Sequence, residues 1–220
     1  MRIIGVNGSP RKTWNTAMIL GSVLEGAASK GAGTELVHLY DLDFKGCVSC
    51  FACKAKGGKS YGRCGYRDGL TPLLEAIADA DALVLGSPIY LSDVTGAMRS
   101  FVERLVFQYL VYDGAYSAIA PKKIPVAVAY TMNISEARLT EWGYDRMFSA
   151  FEGPLKRTFG SVESLAVTDT LQFDDYSRYV ATAFDEGAKQ ERRRTVFPSD
   201  CEKARQMGVR LAEAAEVLRR

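Results

Sequence analysis

The sequence lacks the features that would direct a protein to a membrane, to nucleic acid or out of the cell. No apolar run approaches the roughly 20 residues needed to cross a bilayer, and no leader-like apolar core follows Met1. The formal net charge is only +2, which gives no electrostatic case for nucleic acid or a membrane surface. We therefore expect a cytoplasmic protein whose five cysteines are reduced or metal-bound rather than paired in disulfides.

Two common nucleotide-binding motifs are also missing. A Walker A loop needs Gly-x4-Gly-Lys-Ser/Thr, and Gly58-Lys59-Ser60 fails because Cys53 stands where the first glycine is required. No Gly-x-Gly-x-x-Gly occurs, which argues against a dinucleotide held in Rossmann fashion. The single histidine, His38, falls in a predicted strand without an evident partner, so we assign it no catalytic role.

The N-terminal stretch does contain a candidate anion site. An apolar run ends at Asn7, a small polar loop follows, and a helical pattern begins near Thr16. A strand, tight loop and helix in that order aim backbone N–H groups and the positive end of a helix at one point, which suits a phosphate. Side-chain donors are available from Ser9, Arg11, Thr13, Asn15 and Thr16. On this loop alone, an ordinary connection whose hydroxyls cap the helix is the alternative.

Hydrophobic patterning predicts an alternating α/β chain. After the first strand, apolar runs predict strands at 34–40, 82–86, 124–130 and 162–171. Helical periodicity predicts helices near 71–78, 94–106, 140–158, 175–190 and 199–218, the last opened by a Ser199–Glu202 capping box. Basic clusters at 192–194 and 219–220 are interpreted as solvated helix ends.

Such alternation predicts a doubly wound parallel sheet with helices on both faces. Five strands fit the flavodoxin-like order 2-1-3-4-5, in a single domain over 1–220. A loop rich in Cys, Gly and Lys is inserted at 41–69. The aromatic segment 107–121 is either a surface lid, a subunit contact or a packed loop.

Three loops are expected to meet at one edge of this sheet, because ligands bind at the carboxyl ends of its strands where the order reverses. They are 8–16, 87–90 and 130–133. A phosphate cradle beside the stiff Pro88 and the flat ring of Tyr90 suits a phosphorylated planar heterocycle. Flavin mononucleotide (FMN) is the best match, because its ring needs flat contacts and backbone hydrogen bonds.

Four of the cysteines lie within eighteen residues, at Cys47, Cys50, Cys53 and Cys64. A Cys-x2-Cys-x2-Cys run with a more distant fourth cysteine is typical of a four-iron four-sulfur cluster. Zinc usually takes two separated Cys-x2-Cys pairs, and the second pair is missing. The alternative is a set of reduced, partly buried thiols in a loop near a subunit interface. Cys201 stands apart, and we expect it only to pack.

Together these motifs resemble the NADPH-dependent FMN reductase branch of the flavodoxin-like superfamily, and more narrowly the iron–sulfur flavoproteins. The resemblance is carried by 8–12 with Asn15-Thr16, by the four cysteines with Asp68-Gly69, by 86–90 with Gly96, by Phe101-x2-Arg104 and by 197–204.

The resemblance implies a set of site residues. FMN would be bound by Ser9, Arg11, Lys12, Asn15, Thr16, Pro88, Ile89, Tyr90, Thr131 and Asn133. Of these, Ser9, Arg11, Asn15 and Thr16 would hold the phosphate, 88–90 would lie along the isoalloxazine, and 130–133 would close the pocket. The cysteines Cys47, Cys50, Cys53 and Cys64 would ligate the cluster. Relatives are commonly oligomers, so a homodimer or homotetramer is expected.

The resemblance also implies an enzyme without a catalytic side chain. A reduced nicotinamide, NADPH or NADH, would pass hydride to flavin N5. Electrons would then leave to a quinone, a flavin, another small acceptor or a redox protein, singly if they pass through the cluster. The alternatives are a non-enzymatic flavin and iron–sulfur electron carrier, which the slightly basic charge disfavours, and a flavin-free module whose cysteines sense redox state or metals.

Overall fold

The computed structural model describes residues 1–219, in six strands and seven α-helices. These are β1 (Arg2–Asn7), α1 (Asn15–Ala28), β2 (Gly33–His38), α2 (Thr71–Asp79), β3 (Ala82–Tyr90), β4 (Asp93–Val94), α3 (Gly96–Phe107), β5 (Ile124–Thr131), α4 (Glu136–Glu141), α5 (Tyr144–Phe159), β6 (Gly160–Val167), α6 (Glu186–Thr195) and α7 (Phe197–Arg219). Arg220, the end of the second predicted basic cluster, lies outside the described residues.

The long strands form a parallel sheet in the order β2-β1-β3-β5-β6, with helices on both faces. One apolar layer joins the sheet to α1 and α7, and the other joins it to α2, α3 and α5. All eight residues of β5 are buried, as expected for an inner strand of a sheet covered twice. The predicted doubly wound architecture is therefore confirmed. In the part of the chain that the structure describes, no helix has the length and apolarity to span a membrane.

The strand count needs correction, because there are six strands rather than five and the order of the long ones is 2-1-3-5-6. The extra strand, β4, pairs antiparallel with the end of β3. Leu91 and Ser92 join the two strands with positive φ angles of 50° and 63°. Such two-residue turns normally use Asn-Gly or Asp-Gly, so a Leu-Ser turn gave no sequence signal.

Three helix predictions were wrong in their limits. The helix expected at 140–158 is broken at Gly143, whose φ of 70° separates α4 from α5. The helix expected at 175–190 is only a short 3₁₀ turn at 176–178, and α6 begins at Glu186 after its N-cap Asp185. Ser199 does not cap α7, because that helix begins two residues earlier at Phe197, which is buried.

The 41–69 insertion has little regular structure, and a residue of α3 ties it down. The side chain of Arg104 is almost fully buried. Its Nη1 donates to the carbonyl of Lys45 at 3.1 Å and to Asp68 Oδ2 at 2.6 Å, and its Nη2 donates to the carbonyl of Tyr66 at 2.7 Å. One guanidinium thus joins the start of the insertion to its end.

Candidate functional site

A cleft of about 140 Å³ opens at the carboxyl ends of β1, β3, β5 and β6. Nine of the ten residues predicted to bind FMN line it: Ser9, Arg11, Asn15, Thr16, Pro88, Ile89, Tyr90, Thr131 and Asn133. Lys12 does not line the cleft, and its ammonium forms an ion pair with Asp41 instead. The topology therefore brings the three predicted loops to one place.

Asn7, at the end of β1, shapes the loop that follows it. Its Oδ1 accepts from the backbone N–H of Ser9 at 2.9 Å, and its Nδ2 lies 2.9 Å from Nδ1 of His38 on the neighbouring strand. The Ser9 hydroxyl in turn accepts from the N–H of Arg11 at 3.1 Å. The lone histidine thus orients the asparagine that sets the loop, a partner that was not evident from the sequence.

Gly8 lets this loop approach β3 closely. Its N–H donates to the carbonyl of Gly86 at 2.8 Å. A Cβ at this position would stand 2.9 Å from Cβ of Met98 and 3.2 Å from the Gly86 carbonyl oxygen. Thr95, the N-cap of α3, donates its hydroxyl to the Gly8 carbonyl at 2.7 Å. The loop is therefore fixed to both β3 and α3.

The first turn of α1 points at this cleft without a side-chain cap. Its N-cap is Trp14, which makes no side-chain hydrogen bond to the helix, so the hydroxyl-capped connection considered from the sequence is not what forms. The first N–H groups of a helix carry its positive dipole end and need partners. Asn15 and Thr16 place that turn on the wall of the cleft, where an anionic group would satisfy it.

Some predicted phosphate donors already have protein partners. Asn15 Nδ2 donates to the Leu171 carbonyl at 2.8 Å, and its Oδ1 accepts from Arg193 at 2.9 Å. The hydroxyls of Thr16 and Thr131 are 2.8 Å apart. These side chains therefore join the walls of the cleft to each other. Arg11 also donates from Nη1 to the Gln172 carbonyl at 2.6 Å, so the backbone N–H groups of the first turn of α1 are the donors best placed for an anion.

Asn133 leaves a buried acceptor in the cleft. Its Nδ2 donates to Gln172 Oε1 at 2.6 Å, and its Oδ1 is buried with no partner among residues 1–219. A buried acceptor without a donor costs free energy, so this amide fits a ligand that brings an N–H or O–H group. FMN offers an anionic phosphate, ribityl hydroxyls and a ring N–H. The residues present therefore fit it.

Tyr130 does not contribute to the cleft, although the segment 130–133 was expected to close it. Successive strand residues face opposite sides, and Tyr130 points to α5, where its hydroxyl donates to Glu152 Oε1 at 3.0 Å. Burial and the Glu152 carboxylate raise its pKa. Thr131, the next residue, faces the cleft.

The four cysteines of the insertion line one small cavity of about 20 Å³, next to Arg104, Phe107 and Gln108 of the α3 region. Ser49 and Phe51 curl the Cys-x2-Cys-x2-Cys run with φ angles of 52° and 53°, a left-handed conformation that costs free energy in non-glycine residues. Gly65 closes the other side, since a Cβ there would lie 2.6 Å from Cβ of Ala52. The turn holds its shape around the cavity.

Two cations stand beside these thiols. Lys54 donates to the carbonyls of Phe107, Gln108 and Leu110 at the end of α3. Burial raises the pKa of the Cys53 thiol, and the charge of Lys54 opposes that effect. Burial lowers the pKa of Arg104, but the hydrogen bond to Asp68 and the nearby charges of Asp68 and Cys64 outweigh it and raise the pKa.

Within the described chain, no three His, Cys, Asp or Glu side chains are grouped closely enough to hold one metal ion. A single zinc ion would draw four sulfurs to about 2.3 Å from one point. A cubane cluster spreads its cysteines over different irons.

The model for "NADPH-dependent FMN reductase" matches residues 1–140. The chain belongs to the NADPH-dependent FMN reductase family. The matched span contains ten of the thirteen residues that line the cleft and all four cysteines of the cavity.

Relatives of this FMN reductase family member include iron–sulfur flavoproteins from Archaeoglobus fulgidus and Methanocaldococcus jannaschii. They are 35% and 32% identical over 104 residues, which is 47% of this chain and 48% and 51% of theirs. The chain thus spans about half the length of the curated relatives it matches. The NAD(P)H:quinone oxidoreductase from Methanothermobacter marburgensis has a similar fold, with a TM-score of 0.69, 16% identity and 96% of each chain covered.

Part of the cleft lies beyond the matched residues of the family and was not foreseen. Thr170, Leu171 and Gln172 line it after β6. The sequence analysis assigned Thr170 and Leu171 to the strand predicted at 162–171, but β6 ends at Val167. Residues that follow the carboxyl end of a parallel strand are candidates for a ligand site, and that position could have indicated these three. Trp14 also lines the cleft, and Arg11 stacks over its ring at 4.0 Å.

Helix α6 supports the cleft from behind. Lys189 is buried, donates to the Asn133 carbonyl at 3.0 Å and pairs with Asp169, which has a left-handed φ of 53°. Arg192 pairs with Asp200 at 2.9 Å. The interpretation of 192–194 as a solvated helix end was therefore wrong for Arg192 and for Arg193, the partner of Asn15. The contacts of Lys189 with Asn133 and of Arg193 with Asn15 join elements distant in sequence, so local patterning could not reveal them.

Proposed function

We propose that this protein is an FMN-dependent oxidoreductase that takes hydride from NADPH or NADH and delivers electrons to a quinone, a flavin or another small acceptor. The observation that carries the proposal is the cleft at the carboxyl edge of the sheet. Its walls include the N-terminus of α1, which has no side-chain cap, and Asn133, whose buried Oδ1 has no partner in the described chain. Family membership supports the same chemistry.

The residues of the chain bind and orient rather than react. Ser9, Arg11 and the first turn of α1 would hold the phosphate. Residues 88–90 would offer a flat, stiff surface to the ring, and Thr131 and Asn133 would bind its polar groups. Bound FMN supplies the hydride-accepting centre. No side chain is required as an acid or base for the transfer.

We further propose that Cys47, Cys50, Cys53 and Cys64 hold a four-iron four-sulfur cluster. The support is their common cavity, the curled backbone between them and the two neighbouring cations. Positive charge offsets the negative charge of a thiolate-ligated cluster. The names of the matched relatives agree with this proposal. Such a cluster would pass electrons onward one at a time.

Anaerobic purification followed by a visible spectrum, flavin analysis and iron and sulfide analysis tests both cofactors. We expect one FMN per chain, and iron and sulfide in equal amounts. A steady-state assay then adds NADPH or NADH and a quinone, and we expect one quinol for each nicotinamide oxidised. A colourless, flavin-free protein would contradict the proposal. Bound FMN without turnover would instead indicate a non-enzymatic electron carrier.

A further inference from the structure

The cysteine cavity contains a buried donor with nothing to donate to. Arg104 has its Nη1 and Nη2 engaged with Lys45, Asp68 and Tyr66. Its Nε is buried and has no partner in the described part of the chain. Anchoring the 41–69 insertion therefore explains two of the three guanidinium nitrogens and leaves Nε unexplained. A charged group with a buried, unsatisfied N–H is costly, so the site fits an acceptor in the cavity that Arg104 lines.

Lys54, the other cation, cannot fill the same role. Its ammonium has three N–H bonds, and they point to the carbonyls of Phe107, Gln108 and Leu110. Lys54 therefore contributes charge near the cysteines but has no donor left over. The free donor at this cavity belongs to Arg104.

Cys64 is placed to become the missing acceptor. As a thiol it donates its S–H to the Tyr66 carbonyl, with 3.8 Å between the sulfur and the oxygen. A metal-bound cysteine sulfur carries no proton, so it gives up that donation and can only accept. The Tyr66 carbonyl keeps its hydrogen bond from Arg104 Nη2. Ligation of Cys64 would therefore leave the Tyr66 carbonyl with a hydrogen-bond partner and would provide an acceptor for Arg104 Nε.

We propose that Arg104 donates an N–H···S hydrogen bond from Nε to the sulfur of Cys64 or of the cluster that the cysteines hold, and thereby raises the reduction potential of that cluster. Hydrogen bonds to the sulfurs and nearby positive charge both favour the reduced, more negative state. The inference rests on the proposed cluster. It makes Arg104 a tuning residue for electron transfer as well as the anchor of its loop.

The potential of the cluster tests this inference. The change is Arg104→Lys, which keeps the charge and removes Nε, and the measurement is an anaerobic redox titration followed by electron paramagnetic resonance (EPR). We expect the one-electron equilibrium to shift about tenfold toward the oxidised cluster, about 59 mV lower. Arg67→Lys is the matched control, because Arg67 lies in the same insertion, is exposed and pairs with Glu75. It should leave the potential unchanged.

Arg104 also anchors the insertion, so Arg104→Lys can lose iron simply because the loop is disrupted. A direct measurement on the wild-type protein avoids this difficulty. Protein labelled with ¹⁵N-arginine is reduced by dithionite, and pulsed EPR searches for ¹⁵N coupling to the paramagnetic cluster. Coupling is expected in the wild type and in Arg67→Lys. Its absence from an iron-loaded wild type overturns the inference and leaves the cluster standing. An iron-free wild type overturns the cluster and the inference together.

Discussion

The proposed FMN cleft and the cysteine cavity are built in opposite ways. The cleft collects loops from the ends of four parallel strands, and hydrogen bonds between Asn15, Leu171 and Arg193 join widely separated parts of the chain. The cysteines of the cavity all lie in one continuous insertion. That insertion is held against α3 mainly by Arg104 of α3 and by its own Lys54. A site spread over a sheet edge shares its support among many groups, whereas a site on one loop depends on a few cations, here the buried Arg104 and the partly buried Lys54. The two sites should therefore be separable by mutation.

Removing a cysteine is expected to have the largest and most selective effect. Cys50→Ala should abolish iron binding, because a cubane cluster needs each of its four protein ligands. FMN content should stay at the wild-type level, since Cys50 does not line the cleft. Iron, sulfide and flavin per chain are measured after anaerobic purification.

Cys201→Ala is the matched control for this change. Cys201 lies in α7 and packs against the apolar layer on the α1 face of the sheet. Iron should be unaffected by its loss. Full iron content in Cys50→Ala would refute the ligand assignment, and loss of FMN would refute the independence of the two sites.

A change at Gly8 should give the opposite pattern. In Gly8→Ala the added Cβ meets Met98 and the Gly86 carbonyl, so the loop must move away from β3. We expect FMN affinity to fall about tenfold to a hundredfold, or about 1.4–2.7 kcal/mol, with iron retained. Flavin fluorescence titration of the apoprotein measures the dissociation constant.

Gly21→Ala provides the comparison for Gly8, because a Cβ at Gly21 meets nothing within 4 Å and the residue lies within α1. Alanine favours a helix more than glycine does, so this variant should bind FMN normally. Equal affinities in the two variants would show that the close approach of Gly8 is unimportant for the cleft.

A substitution of Lys189 tests whether α6 stabilises the cleft. Lys189→Met removes the hydrogen bond to the Asn133 carbonyl and one of the two cationic partners of Asp169, the other being Arg192. FMN affinity should fall by about threefold to tenfold, within the value of one hydrogen bond. Arg194→Met, which breaks only an exposed pair with Glu191, should have no effect. Unchanged affinity in Lys189→Met would limit the cleft to the strand-end loops.

The sequence predicted the features that depend on local order. Alternating strands and helices placed three loops at one edge, and nine of ten proposed FMN residues do line one cleft. Contacts between residues far apart in the sequence could not be predicted. Nothing in the pattern near Lys189 or Arg193 indicates Asn133 or Asn15, which lie on other elements. The Leu91–Ser92 turn was hidden because its residues adopt a backbone conformation that their types disfavour.

The smallest expected effect concerns the anchor of the cysteine loop. Burial opposes ionisation of Asp68, but hydrogen bonds from Arg104 and from the Lys45 and Leu70 backbone hold its pKa below the usual value. A carboxyl with a lowered folded-state pKa stabilises the fold above its unfolded pKa of about 3.9 and loses that contribution as the pH falls through the folded value. Thermal unfolding should therefore show a stability loss at pH below 4.

Asp68→Asn should remove this part of the pH dependence and cost roughly 1 kcal/mol at pH 7, the difference between a charged and a neutral acceptor for Arg104. FMN affinity should not change, because Asp68 contacts the insertion and α3 rather than the cleft. Thermal unfolding of both proteins between pH 3 and pH 7 makes the measurement. Parallel pH profiles would mean that the Arg104–Asp68 pair does not anchor the loop through its charge. A loss of FMN affinity in Asp68→Asn would mean that the two sites share their support after all.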